Sequence, residues 1–237
     1  MPTAEQEFAP DFRARQIVPD ADPTSMQAIY RLRFEVYCRE YGYLPPADHT
    51  DQRESDGYDS MSAHFGAFNR NDELVGYVRL VAADAAGRFP LHHRGAVLFS
   101  GHTWPDPNEG REISRLMVRH DYRRRRGDTL AGTTDPDSHP DHVERRIHSP
   151  QILLSLFRQM YQFSLRCETR YWYATMDRCL MRSLVAQGFS FLRIGPPMDY
   201  FGPVAPYLAD LRGLEVRVQA ARPALLTWLR QPGALPA

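Results

Sequence analysis

No stretch of this sequence approaches the roughly 20 apolar residues that a membrane-spanning helix needs, so no integral span is expected. Cysteine is scarce: Cys38, Cys167 and Cys179 lie far apart, without Cys-x-x-Cys spacing. That speaks against a disulfide framework or a zinc site and fits a reducing, cytoplasmic setting. The opening residues, MPTAEQEFAPDF, carry no apolar core, so a signal peptide is not expected. Excess charge is missing as well, because 29 Lys+Arg balance 29 Asp+Glu. Nothing in that total favours a nucleic acid or another polyanion as partner. Repeats and low-complexity tracts are absent too. What is present is 43% hydrophobic and 11% aromatic residues in 237, enough for one large α/β domain with a substantial core.

Residues 1–22 suggest a loose arm. Asp22-Pro23 suits a helix start, since a first-turn proline gives up an N–H that would be unpaired anyway. Met26, Ile29, Tyr30, Phe34, Tyr37 and Tyr41 then recur at helical spacing up to Gly42. Residues 45–62 read as an acidic loop. Ala63–Phe68 and Leu74–Val81 read as a hairpin around Asn69–Asp72. A long connection over 84–110 leads to a strand, Glu112–Val118. A basic and then polar segment follows to 149. Next come a helix over 152–163 started by Ser149-Pro150, a strand Tyr171–Met176, a helix Asp177–Gln187 stopped by Gly188, and a strand Phe189–Ile194. A last strand is expected near Leu214–Val218, and 221–237 reads as a tail. A single domain would thus span 23–220, with a polar insertion at about 128–149. Alternating helices and strands with an early hairpin predict an α/β sandwich on a mixed sheet.

Five groups of residues could carry chemistry. Arg33, Tyr37 and Tyr43 lie on or just after the first helix; exposed helical arginines are the plain alternative. Asp56 and Asp59 in DGYD could bind an amine or cation, or simply be a solvated acidic loop, and they lack the density of a calcium loop. Arg79 sits in an apolar strand and requires a nearby carboxylate, with Glu112 and Asp59 as candidates. In EISRLMV, Glu112 and Ser114 share one face of a strand and Arg115 takes the other. A twist or bulge is needed to bring Glu112 and Arg115 to one site edge. Glu112 could bind or deprotonate an amine, since a half-buried carboxyl has a raised pKa. Arg123, Arg124, Arg125 and Arg126 before Gly127 suit an anion, an acidic docking partner or plain solvation. His139, His142 and His148 have no regular spacing, so no metal site is expected. Cys179 is disfavoured as a nucleophile, having no histidine near it in sequence.

Taken in order, these residues resemble the GNAT-fold autoinducer (acyl-homoserine-lactone) synthases. Arg33, Tyr37 and Tyr43 match that family's Arg, Phe and Trp. Asp56 and Asp59 match its D-x-x-D, Arg79 the arginine of G-x-x-R-L, and Glu112, Ser114 and Arg115 its E-x-S-R. The two tyrosine replacements, and the phrase LRFEVYCREYGYL, look closer to the N-acyl amino acid synthases and to the acyltransferases associated with exosortase (PEP-CTERM) systems. The resemblance implies a splayed, mixed sheet with helices on both faces. It implies an acyl donor whose phosphopantetheine arm lies between Glu112–Val118 and Tyr171–Met176. Backbone N–H groups at Met117 and Val118, with Arg123–Gly127, would hold that donor. Glu112 and Arg115 would be catalytic. Arg33, Tyr37, Tyr43, Asp56, Asp59, Arg79 and Ser114 would bind a small amine acceptor, possibly an amino acid. No tightly bound cofactor is implied, only an acyl thioester as co-substrate. Arg124–Thr129 follows the usual acetyl-CoA loop only in part, which favours acyl carrier protein over CoA, because carrier proteins are acidic. Two alternatives stand beside this one: an acyl or carrier-protein sensor without catalysis, and an acetyl-CoA-dependent acetyltransferase.

Overall fold

The computed structural model describes residues 7–123 and 148–231. Strand β1 (Arg13–Ile17) precedes helix α1 (Pro23–Phe34). The Asp22 side chain caps α1 by accepting the Ser25 N–H at 3.0 Å. The helix runs directly into a π-helical turn, Glu35–Glu40, in which the Tyr41 N–H reaches back five residues to the Val36 carbonyl. Such a turn holds one extra residue and re-aims the side chains after it. Then come β2 (Ser62–Phe68), β3 (Leu74–Val81), the one-turn helix α2 (Pro90–His93) and β4 (Gly110–Val118). Helix α3 (His148–Arg166), β5 (Tyr171–Met176), α4 (Arg178–Ala186), β6 (Leu192–Arg193), β7 (Met198–Asp199) and β8 (Pro203–Asp210) follow. Helices α5 (Leu211–Ala221) and α6 (Pro223–Arg230) finish the described chain.

The sheet runs β1-β2-β3-β4-β5-β8-β6, with β7 beside β8. Every described pairing is antiparallel except β4 with β5, which is parallel. One face packs on α3 through Ile152, Leu156, Phe157 and Met160, together with Leu214, Val218, Leu225 and Trp228 of the last two helices. The opposite face packs on α1 through Met26, Ile29 and Leu32 and on the π-helical turn through Tyr37. The connection before β4 adds a small cap of Phe89 and Leu91 over Tyr173 and Ile194. Gly76 lets α3 approach closely, since a Cβ there would lie 2.6 Å from Ile152 Cγ2.

Four expectations need correction. The supposed N-terminal arm supplies β1, paired along its length with β2, and buries Phe8, Phe12 and Ile17. The supposed tail supplies α6, with Leu225, Leu226, Trp228 and Leu229 in the core. Leu214–Val218 is helical: Leu211, Leu214 and Val218 face inward while Val216 is 71% exposed. Those residues satisfy both a two-residue and a helical repeat, and the Asp210 side chain on the Arg212 N–H selects the helix. Of Phe189–Ile194, only Leu192–Arg193 is strand. The insertion at about 128–149 lies almost wholly outside the described residues.

Candidate active site

Strand β4 organises the site through a bulge. Arg79 of β3 faces Ser114 and Tyr77 faces Met117, so Arg115 and Leu116 together oppose Val78. Arg115 has φ +56°, a left-handed conformation that costs an ordinary residue on the order of 1–2 kcal/mol. The extra residue breaks strict alternation. Ser114 contacts the Arg79 guanidinium and Arg115 reaches Glu54 and Asp56, so consecutive side chains serve one face. This is the bulge the sequence requires if Glu112 and Arg115 are to share a site edge.

Behind the bulge lies a cage of three arginines and three carboxylates. Arg33 donates to Glu54 at 2.5 Å and to Asp59 at 2.6 Å. Arg79 donates to both Asp56 oxygens at 2.7 Å and to Asp59 at 2.6 Å. Arg115 donates to Glu54 at 3.0 Å and to Asp56 at 2.9 Å. Burial alone would raise the Glu54 carboxyl, but Arg33 and Arg115 outweigh it and hold Glu54 at about 2. Arg79, Arg115 and Arg33 likewise outweigh burial at Asp56 and keep it below the ordinary carboxylate range. The cage thus sets three guanidinium groups against three carboxylates, and its arginines hold Glu54 and Asp56 ionised. Beneath them His64 Nδ1 meets the Tyr77 hydroxyl at 2.7 Å and Nε2 meets the Asp59 carbonyl at 3.1 Å. The carbonyl only accepts, so Nε2 carries the proton and Tyr77 donates to Nδ1. Arg115 also lies over the Tyr37 ring at 4.7 Å, and burial pushes the Tyr37 phenol up to about 12.

Strands β4 and β5 are paired only from Gly110–Tyr171 to Ile113–Ala174. Beyond that point they part around a cavity of about 310 Å³. Its apolar lining includes Leu116, Phe157, Met176, Leu180 and Val204; its polar lining includes Glu112, Ser114, Arg115, Asp177, Tyr37, Tyr43 and Tyr200. Tyr41, Tyr43, Phe201 and Tyr200 stack in succession, with ring centroids 4.5–5.3 Å apart. The Glu112 carboxylate accepts the Leu91 N–H at 2.8 Å. Burial raises it to about 8, against the pull of that N–H and of Arg79 and Arg115. A carboxyl of this kind exchanges a proton near neutral pH.

The expected residues thus divide. Tyr37, Tyr43, Glu112, Ser114 and Arg115 line the cavity. Arg33 and Arg79 are almost wholly buried, their charge spent on Glu54, Asp56 and Asp59. They build the wall that holds Arg115 and make no surface for a ligand. Arg79 pairs with Asp59, one of its two expected partners, and with Asp56 in place of Glu112. Met117 and Val118 have their side chains in the two sheet cores, away from the cavity lining. Arg123 is spent on the Tyr41 hydroxyl at 2.8 Å and on Glu40. Arg124, Arg125, Arg126 and Gly127 lie outside the described residues. Glu54 was not among the expected residues; its one sequence signal is its place two residues before Asp56, in a loop that looked solvated. No group of three or more metal-ligating side chains occurs among the described residues. Among them also, no helix is long and apolar enough to cross a membrane.

These features define a class. Residues 32–132 match the family model for an acetyltransferase (GNAT) domain, and the bulged β4, parted from β5, lies within the GNAT acyltransferase fold. The solved structures most similar in fold include BjaI, a CoA-dependent acyl-homoserine lactone synthase determined with SAM and isopentyl-CoA. It shares 17% identity and a TM-score of 0.64 over 95% of this chain and 92% of its own. The acyl-homoserine lactone synthase LasI shares 16% and 0.59 over 89% and 91%. FeeM, an N-acyl amino acid synthase from uncultured soil microbes, shares 14% and 0.52 over 89% and 97%. No protein of curated function matches the sequence significantly.

Proposed function

We propose that this chain is an N-acyltransferase that moves a long-chain acyl group from a phosphopantetheine thioester to the amine of a small acceptor. One observation carries the reading: the gap between β4 and β5 is lined both by a set of apolar side chains and by Glu112 and the bulged Arg115. The apolar lining suits an acyl chain and the polar groups a reacting amine. The thioester carbonyl lies along the edge of β4 past Ile113, where no described strand pairs on the β5 side. Backbone N–H groups of that edge, on the stretch that includes Met117 and Val118, polarise the carbonyl as an oxyanion hole does. The amine nitrogen loses its proton to Glu112, directly or through water, and attacks the carbonyl carbon. The amide bond forms, the C–S bond breaks, and the departing sulfur takes up the proton held by Glu112, directly or through water, and leaves as a thiol. Arg115 fixes the bulge and the Tyr37 ring. Arg33, Asp56, Asp59 and Arg79 hold Arg115 in place. The cavity has room well beyond an acetyl group, which favours a long-chain donor. Both a carrier protein and CoA present the same thioester, and BjaI is a CoA-dependent example within this fold.

The test is incubation with long-chain acyl carrier protein or long-chain acyl-CoA and a pool of amino acids, followed by mass spectrometry of lipid extracts. An N-acyl product that falls at least 100-fold in Glu112→Gln supports the mechanism. Equal product from that variant removes Glu112 from its role. Acyl binding without product from any donor identifies a sensor, and turnover of acetyl-CoA alone identifies an acetyltransferase.

A further inference from the structure

The acceptor's charge is legible in a cation that the cage leaves free. The three arginines of the cage are neutralised by Glu54, Asp56 and Asp59. Arg94 differs. Its guanidinium lies 4.8 Å above the ring of Tyr200, a residue of the cavity wall, and no carboxylate pairs with it among the described residues. Its position follows from Glu112. Helix α2 donates the Leu91 N–H to the Glu112 carboxylate, and Arg94 closes that same turn, its N–H on the carbonyls of Pro90 and Leu91. Three residues of helix separate the two backbones by ~5 Å, within the reach of one arginine side chain. Tyr58 responds to both groups: burial raises its phenol, Arg94 opposes that rise, and Glu112, Tyr200 and Asp56 add to it. Neighbouring His93 is already engaged by Asp84 at 2.9 Å.

We propose that Arg94, backed by Tyr200 and Tyr58, binds an anionic group of the acceptor while the acceptor's amine meets Glu112. The inference rests on the reading of Glu112 as the group that takes the amine's proton. It specifies a zwitterionic acceptor, with amine and carboxylate a few bonds apart, such as an α-amino acid. An unpaired guanidinium over an aromatic face keeps its five donors for a planar anion. The wall beside it carries Tyr37, Tyr41, Tyr43 and Tyr200, and its other carboxylate, Asp177, is engaged as the cap of α4 by the Leu180 N–H at 2.9 Å.

The experiment compares the twenty amino acids with their amides as acceptors, for the native chain, Arg94→Gln and Arg94→Lys. The expected result is a preference of at least tenfold for acids over amides. Arg94→Gln should lose it through a raised acceptor KM with little change in kcat, and Arg94→Lys should keep part of it. Equal use of amides by the native chain, or a preference that survives Arg94→Gln, overturns the inference. So does a rise in donor KM with acceptor KM unchanged, which would assign Arg94 to donor phosphates. A second readout is independent of turnover. Saturation-transfer NMR with the amino-acid mixture should show contact with the native chain and loss of contact in Arg94→Gln. Amino-acid binding without product in any reaction would leave Arg94 in place and remove the acyltransferase reading. Absence of binding, or unchanged binding in Arg94→Gln, would remove Arg94.

Discussion

Glu112→Gln tests the site through stability as well as rate. The native carboxyl rises from 4.5 to about 8 because it is buried. The folded state therefore holds a proton that the unfolded state releases between those values. A raised folded pKa gives stability that is complete below about 4.5 and is lost as pH climbs through about 8. At ~1.4 kcal/mol per pH unit the full difference is about 5 kcal/mol, a large fraction of the 5–15 kcal/mol that typical domains possess. Glutamine keeps an oxygen for the Leu91 N–H and never ionises. The variant should match the native chain near pH 5 and exceed it by several kcal/mol at pH 9. Urea unfolding at each pH, with the two curves subtracted, cancels every other titrating group. The same proton governs rate: native kcat/KM should climb through about pH 8, and the residual activity of the variant should lack that limb. Parallel stability curves from pH 5 to 9 would refute the burial argument and, with it, Glu112 as a proton acceptor tuned by its surroundings.

Glu54→Gln leaves Arg33 and Arg115 short of a counter-charge in the interior. It should cost about 3–5 kcal/mol, read by urea unfolding. The native cage should also weaken in acid. Glu54 is held at about 2 in the fold against an ordinary 4.5, so its contribution is present above 4.5 and is lost as pH falls through about 2. Trp228→Ala in α6 empties a fully buried site beside Phe8 and should cost about 3–5 kcal/mol of unfolding free energy. A dispensable tail would show no change.

Individual residues show how far sequence alone could reach. Asp22, Pro23 and Gly188 mark helix ends because capping is local, and the structure keeps each where the sequence suggests it. The hairpin and the strands on either side of the cavity follow from short-range hydrophobic patterning. The edges of the fold were harder to read. RARQI has no alternation to announce a strand and becomes β1 through pairing with β2. Leu214–Val218 satisfies two periods, and the Asp210 cap together with packing decides between them.

For the site, the sequence by itself singled out candidates, among them Arg33, Asp56, Asp59, Arg79, Glu112 and Arg115, in an order that resembles a known family. Tertiary structure decided what each does, since charge neutralisation and burial depend on distances between segments far apart in the chain. It added Glu54 to the cage and spent Arg33, Arg79 and Arg123 on internal partners. Among the described residues it left Arg94 without a carboxylate partner, over Tyr200 of the cavity wall, and it placed Glu112 where burial, rather than a neighbouring arginine, sets its proton affinity.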